Sequence, residues 1–313
     1  MKIGIVGCGN VGSASAFACV LRGVGNELVL VDSDAALAVA QAEDILHATP
    51  FAKSMAVSAG PYEALTNCGI VMITAGAHQK PGENRLDLLK RNTEIFAEII
   101  PQILKYAPGS ILLVASNPVD IMTHITAKFA IENGGEEGRV IGSGTILDTA
   151  RFRTLLASHL GVSSHSVHAH VLGEHGDSEV LHWSGASISN VHLKNFADQL
   201  SMPVTEQIKA KIDDAVRNAA YHIIKGKGAT WYGIGAAMAR IATAIVSDEH
   251  CLMTCSAPLK ASENIPDVTL SLPHIVSAKG IVKTIWPIMD DAEHAALKTS
   301  AEILKNALHS IGF

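Results

Sequence analysis

A single histidine stands between two glycines in Gly173-Glu174-His175-Gly176-Asp177-Ser178-Glu179, with carboxylates on both sides and an apolar run, Val167 to Leu172, leading into it. Imidazole changes charge near neutral pH, so a histidine held there can exchange a proton with a bound molecule. Glycine flanks permit positive φ and let backbone approach a ligand closely. Upstream, Ile146-Leu147-Asp148-Thr149-Ala150-Arg151-Phe152-Arg153 places Asp148 and Arg151 three apart, on one face of a helix. Arg153 is two positions on and points elsewhere. The ordinary fate of such a pair is a solvated surface ion pair. This one lies at an expected domain boundary in a chain of only 17% charged residues, where an ion pair has more to do. A further arginine, Arg85, follows a polar stretch, His78 to Asn84, that carries proline and glycine as a mobile lid would. A proton-exchanging histidine needs a partner, a clamp for its substrate and a cofactor.

The cofactor is written into the N-terminus. Ile3-Gly4-Ile5-Val6-Gly7-Cys8-Gly9-Asn10-Val11-Gly12 is a GxGxxG after a strand pattern and opening a helix pattern. Gly7 allows the tight turn, Gly9 lets a pyrophosphate reach the backbone, and Gly12 lets helix and strand pack closely. The anion would sit at the helix N-terminus, where free N–H groups and the dipole favour it. The next strand pattern ends at Asp32, twenty residues after Gly12. A carboxylate there accepts hydrogen bonds from an adenosine ribose and repels a 2′-phosphate, which selects NAD over NADP. Thr74-Ala75-Gly76-Ala77 and Ala115-Ser116-Asn117-Pro118 end two later strands on the same side of the sheet and would line the nicotinamide end.

The elements that must position these residues alternate. Lys2–Val6, Glu27–Val31, Ser54–Ala59, Ile70–Thr74, Ser110–Ala115 and Arg139–Ile141 read as strands. Val11–Arg22, Ala35–Leu46, Arg85–Tyr106 and Pro118–Ala130 read as helices, the last opening with proline in its first turn. Unbroken apolar runs such as Ile111-Leu112-Leu113-Val114 suit parallel strands buried on both faces. The pattern implies an α/β fold, a doubly wound parallel sheet (Rossmann) with its ligand crevice at the strand carboxyl ends. The second half reads as an α+β substrate domain. Ile146–His159, Thr205–Lys225, Ile234–Val246 and Asp291–Ser310 are helical, and Ser166–Leu172, Val180–Ser187, Leu252–Leu259 and Asp267–Val276 strand-like. Domains of 1–143 and 144–313 are expected, with a crevice between packed lobes near Gly142-Ser143-Gly144.

Composition narrows the class. A chain of 313 residues, 48% hydrophobic, has ample length for a core. A net charge of −6 predicts no basic patch for nucleic acid and no membrane-binding stripe. No apolar run is long enough to span a bilayer, and Met1-Lys2-Ile3 leads into a strand without a signal peptide pattern. Five cysteines without disulfide spacing fit a reducing cytoplasm. Cys251 and Cys255 would point the same way on a strand, too far apart for one metal, so no metal site is expected.

Five ordered motifs, GxGxxG with Asp32, residues 75–92, 116–121, 142–153 and 173–179, are similar to those of the lactate/malate dehydrogenase family, and the likeness runs along nearly the whole chain. That resemblance implies hydride transfer between NAD and a 2-hydroxy acid. It assigns catalysis to His175, Asp148, Arg151 and Arg85, with His175 as proton donor, Asp148 orienting it, Arg151 gripping the substrate carboxylate and Arg85 polarising the carbonyl. It places Gln79, Asn117 and Thr230 at the substrate as well, although Thr230 reads equally as a helix N-cap. Cofactor contacts fall on Gly7, Gly9, Val11, Gly12, Asp32, Gly76, Ala77, Ser116 and Asn117. Malate-specific members carry arginine at the position of Gln79, so pyruvate and L-lactate are expected over oxaloacetate and malate. Arg153 and His168 match basic positions that bind fructose 1,6-bisphosphate in activatable bacterial members, and the family is homotetrameric. The alternatives are a malate dehydrogenase and a catalytically silent NAD-binding structural protein.

Overall fold

The structure, a computed structural model, describes residues 1–77 and 86–313 together with the backbone of Arg85. Gln79, the lid expected over 78–84 and the Arg85 side chain lie outside the described residues. Among these, strands β1 (Lys2–Val6), β2 (Glu27–Val31), β3 (Ala56–Ala59), β4 (Cys68–Ile73), β5 (Ile111–Val114) and β6 (Val140–Gly142) alternate with helices α1 (Asn10–Arg22), α2 (Ala35–Ala48), α3 (Arg85–Tyr106) and α4 (Val119–Glu132). The chain continues through α5 (Ile146–Leu160), β7 (Val167–Leu172), β8 (Val180–Ile188), β9 (Val191–His192), α6 (Leu193–Gln199), α7 (Glu206–Arg217), α8 (Ala219–Lys227), α9 (Tyr232–Val246), β10 (Cys251–Leu259), β11 (Val268–Ser277), β12 (Gly280–Thr284) and α10 (Asp291–His309).

The first six strands pair in parallel in the order β6-β5-β4-β1-β2-β3, the doubly wound arrangement the sequence implied. Successive side chains leave a strand on opposite faces. In β5, Ile111 and Leu113 join one apolar cluster while Leu112 and Val114 join the other. Both faces being covered is the reason these runs carry no polar alternation. One cluster contains Ile100 of α3, Ile125 of α4 and Leu304 of α10; the other contains Val20 of α1, Ala42 of α2 and Ile241 of α9. Thus α9 and α10, from the second half, complete the covering of the first half's sheet. None of the described helices is long and apolar enough to cross a membrane.

The structure departs from the expected elements at several points. Strands β10, β11 and β12 run antiparallel and extend the first sheet, joined where Ser256 pairs with Gly142. Only β7, β8 and β9 make a sheet of their own. Gly144 has φ +53, and a Cβ on it would lie 2.4 Å from the Ser256 backbone nitrogen, so the seam is closely packed. The helix expected over Thr205–Lys225 is two, α7 and α8, parted at Asn218, which takes φ −89 and ψ 0. Strand β12 was missed because the hairpin joining it to β11 turns at Ala278-Lys279, without an Asn-Gly signal. Finally, Pro118 precedes α4 as its N-cap, extended at φ −69 and ψ 118 after a cis Asn117–Pro118 bond, and is not in its first turn.

Candidate active site

The β1–α1 turn explains its own glycines. Gly7 sits at φ +101, and a Cβ there would come within 2.4 Å of the Ala75 backbone nitrogen. A Cβ on Gly12 would lie 1.9 Å from the Gly7 carbonyl oxygen, so helix and strand meet only because both residues lack one. Gly9 is different. Its φ is −67, and no protein atom lies within 4 Å of where its Cβ would be. The protein does not require glycine at that point; the open space in front of the α1 N-terminus suits a bound diphosphate. Asp32, at the end of β2, accepts from the backbone N–H of Cys8 at 2.5 Å and of Asp34 at 2.9 Å, which fixes a carboxylate beside that cradle.

A cleft of about 1050 Å³ runs along the carboxyl ends of the parallel strands. Of the residues assigned to cofactor and substrate, it is lined by Gly7, Gly9, Val11, Asp32, Gly76, Ala77, Ser116, Asn117 and Thr230; Gly12 is packed beneath it. Thr230 is not an N-cap, since Trp231 takes that place in front of α9 with no side-chain cap bond. Asn92 of α3, only 2% exposed, ties two walls together. Its Oδ1 accepts from Ala77 N–H at 2.8 Å and its Nδ2 donates to the Asn117 carbonyl at 3.3 Å. The cradle, the placed carboxylate and the cleft fit a dinucleotide. We expect Gly9→Ala to leave the melting temperature near that of wild type, since nothing is displaced, while weakening NADH binding on the order of tenfold or more. Gly12→Ala, in contrast, should destabilise the fold. Thermal melts with NADH titrations decide; a Gly9→Ala protein that binds NADH normally would show that this space is not used.

Beyond the cleft, a single carboxylate organises the catalytic candidates. Asp148, in the first turn of α5 and 1% exposed, accepts from Arg151 Nη1 at 2.7 Å on Oδ1 and meets His175 Nδ1 at 2.6 Å on Oδ2. Helical spacing supplies the Arg151 contact, whereas His175 arrives from the loop between β7 and β8. With Nδ1 committed to Asp148, Nε2 is the imidazole atom left to face a substrate. Burial by itself would lower the histidine's pKa; the neighbouring carboxylates, Asp148 first and then Asp120 and Glu179, outweigh that together and raise it to about 9. His175 is therefore protonated throughout the neutral range, and it retains 27% side-chain exposure.

The loop that carries His175 is pinned from several sides. Gly173 has φ +85, a Cβ on it would also meet Ser300 Oγ at 2.7 Å, and its backbone pairs with Ser271. Its need for glycine comes from protein packing, not from ligand approach. Glu174, which had no role from sequence, accepts from the Ser178 hydroxyl at 2.5 Å, and its N–H donates to Ser300 Oγ at 2.8 Å. The Asp177 carbonyl accepts from Arg217 Nη1 at 2.8 Å and its side chain from the Tyr221 hydroxyl at 3.3 Å. The main residue missed from sequence is Asp120, on α4. Its Oδ2 accepts from His175 N–H at 2.7 Å and its Oδ1 from the Ser256 hydroxyl at 2.6 Å. Burial pushes its carboxyl up to about 6 against those two hydrogen bonds, which pull it down. Asp120 and Asn92 both fall inside motifs quoted above (116–121 and 75–92), but motif membership does not say which partner a side chain finds.

The two basic residues assigned to an effector meet at β7. Arg153 Nε donates to the Ala169 carbonyl at 2.8 Å, next to the exposed His168. Arg153 is half-buried, and that burial lowers its pKa. His170, two residues along, is driven down to about 4 by burial and then by the charges of Arg153, His182 and His168. All five cysteines are free, and none has a role in the sites described.

Comparison with known proteins agrees with this geometry. Residues 1–142 match lactate/malate dehydrogenase, NAD binding domain, and residues 145–312 match lactate/malate dehydrogenase, alpha/beta C-terminal domain. The chain is 53% identical to an L-lactate dehydrogenase of Thermus aquaticus, covering 100% of both, and 51% identical to one of Geotalea daltonii, covering 99% of both. Among solved structures it resembles a lactate dehydrogenase from a Medee basin deep-sea metagenome library, with TM-score 0.96 and 38% identity over 100% of this chain and 99% of that one. It also resembles the minor L-lactate dehydrogenase of Enterococcus mundtii in a ligands-bound form, with TM-score 0.93 and 38% identity over 99% of this chain and 98% of that one. With both halves matched and a dinucleotide cradle beside an Asp148-held histidine, the chain belongs to the lactate/malate dehydrogenase family and is an NAD-dependent oxidoreductase.

Proposed function

We propose that the enzyme interconverts pyruvate and L-lactate. The observation that carries this reading is that one buried carboxylate, Asp148, holds an imidazole and a guanidinium together, and the names of the relatives above point the same way. NADH, when bound, supplies the hydride. Arg151 receives the 2-oxo acid carboxylate; its Nη1 is bonded to Asp148, and its Nε and Nη2 make no hydrogen bond among the described residues and are the donors a carboxylate would take. His175 Nε2 gives its proton to the substrate oxygen, and Asp148 holds Nδ1 and the charge of the imidazolium. Asn117, lining the cleft, hydrogen-bonds the same oxygen. Arg85 stabilises the developing charge.

Gln79 supports pyruvate over oxaloacetate, because an unpaired second carboxylate in a closed site costs several kcal/mol, on the order of 3 or more. Measuring NADH oxidation over a panel of 2-oxo acids tests this. Pyruvate should give the highest kcat/KM, and Gln79→Arg should move preference toward oxaloacetate; a wild-type preference for oxaloacetate sinks the assignment. The same panel run with fructose 1,6-bisphosphate tests Arg153 and His168 as its site, supported by the cluster of basic charge that depresses His170. A pyruvate saturation curve that does not move with the sugar bisphosphate removes that role. Exposed Phe17 and Leu21 on α1 and Tyr232 on α9 support a homotetramer, and the free cysteines a cytoplasmic setting.

A further inference from the structure

Glu179 has no part in the chemistry above, yet its carboxyl lies within it. The residue is 3% exposed and enters β8, with its N–H donating to the Gly176 carbonyl at 3.1 Å, so it cannot swing to solvent without disturbing the loop that carries His175. Its Oε1 is buried and has no hydrogen-bond partner. One polar side-chain atom from each of Glu179, Asp148 and His175 lies within 4.8 Å of the others.

The charges facing it come from three elements. Asp148 and Arg151 project from α5, His175 from the loop, and Arg217 from α7. Each cation already has an oxygen partner: Arg151 Nη1 and His175 Nδ1 meet Asp148, and Arg217 bonds Asp213 at 2.8 Å and the Asp177 carbonyl. Two carboxylates in so small a buried space do not both stay ionised at low cost. Asp148 has both oxygens hydrogen-bonded to cationic groups; Glu179 has an orphan oxygen. Glu179 is therefore the one that keeps its proton. Burial and then the Asp148 charge push its carboxyl up to about 8, against the pull of Arg217, His175 and Arg151.

We propose that Glu179 is a charge-regulating residue, a neutral carboxylic acid at pH 7 whose ionisation places a second negative charge beside Arg151 and weakens its hold on the substrate carboxylate. This rests on the reading of Arg151 as the clamp. The O–H bond breaks heterolytically, the proton passes to solvent, and no other bond changes. An ionised Glu179 also helps keep His175 protonated, so its effect falls on substrate binding and not on the supply of the proton.

The test is the pH dependence of kcat/KM for pyruvate, with calorimetry of oxamate binding to the NADH-loaded enzyme. Wild type should begin to lose kcat/KM near pH 8, roughly a decade per unit, and steepen toward two decades per unit above about pH 9, as two protons are lost. E179Q should show one decade per unit throughout its alkaline limb. In buffers of different ionisation enthalpy, oxamate binding at pH 8.5 should take up more protons in wild type than in E179Q. A wild-type limb of one decade per unit overturns the proposal without any variant, as does equal proton uptake in the two proteins. Absence of pyruvate turnover and of oxamate binding at pH 7 overturns instead the reading of the clamp, and this proposal with it.

Discussion

His175→Ala is expected to lower the rate of pyruvate reduction by about 10³–10⁴-fold while leaving NADH affinity close to that of wild type. The imidazole meets Asp148 at 2.6 Å and is absent from the cleft lining that would hold the dinucleotide, so its loss removes the proton donor and leaves the cradle intact. The same residue fixes the direction of the pH dependence. Its pKa is raised to about 9; reduction requires the protonated ring, is supported below that value and declines as pH rises through it. Oxidation of the 2-hydroxy acid requires the neutral ring and should rise over the same interval. Stopped-flow rates at several pH values, with fluorescence titration of NADH, check both statements. A His175→Ala enzyme that keeps more than a tenth of wild-type turnover would show that the proton comes from elsewhere.

Arg151→Lys should be nearly as severe, although it conserves charge. Asp148 Oδ1 takes Nη1 of Arg151 at 2.7 Å, and the planar fork can hold that carboxylate and the substrate's at once. A lysine has one point charge for both, and no bidentate geometry. The cost should be roughly 3 kcal/mol or more, a hundredfold or more in kcat/KM, expressed mainly in KM for pyruvate. Because Asp148 also holds His175, part of the loss should appear as a lowered kcat. A KM within about threefold of wild type would mean that Arg151 serves the structure and does not grip the substrate.

These residues illustrate which parts of the molecule can be read from the chain. The strand pattern of β5, the GxGxxG turn and the i, i+3 pair of Asp148 and Arg151 are local: their periods and spacings follow from backbone geometry, so neighbours in sequence are neighbours in space. Even the acidic end of β2 could be placed, because parallel pairing of β1 and β2 brings Asp32 to the turn after β1. The attachment of β10 to the edge of β6 could not be read from the chain, for the opposite reason. Whether β10 closes on β7 or extends β6 depends on which edge is open and which side chains fit the seam, and a strand pattern carries neither.

The local chemistry was thus determined by the sequence: a dinucleotide turn with its acidic partner, a histidine in a polar loop, and a carboxylate and an arginine on one helix face. What only the tertiary structure decided is how those pieces are charged and held. His175 reaches Asp148 across 27 positions, Asp120 reaches the His175 backbone across 55, and Ser256 reaches Asp120 across 136. Each of those bonds joins elements brought together by burial of apolar faces that are indifferent to sequence distance. Burial acts on the two groups in opposite directions: it raises the Glu179 carboxyl, with the Asp148 charge adding to it, and it would lower His175, where the neighbouring carboxylates, Asp148 first, reverse it. A residue's type states what protons it can carry; its packing decides at which pH it carries them.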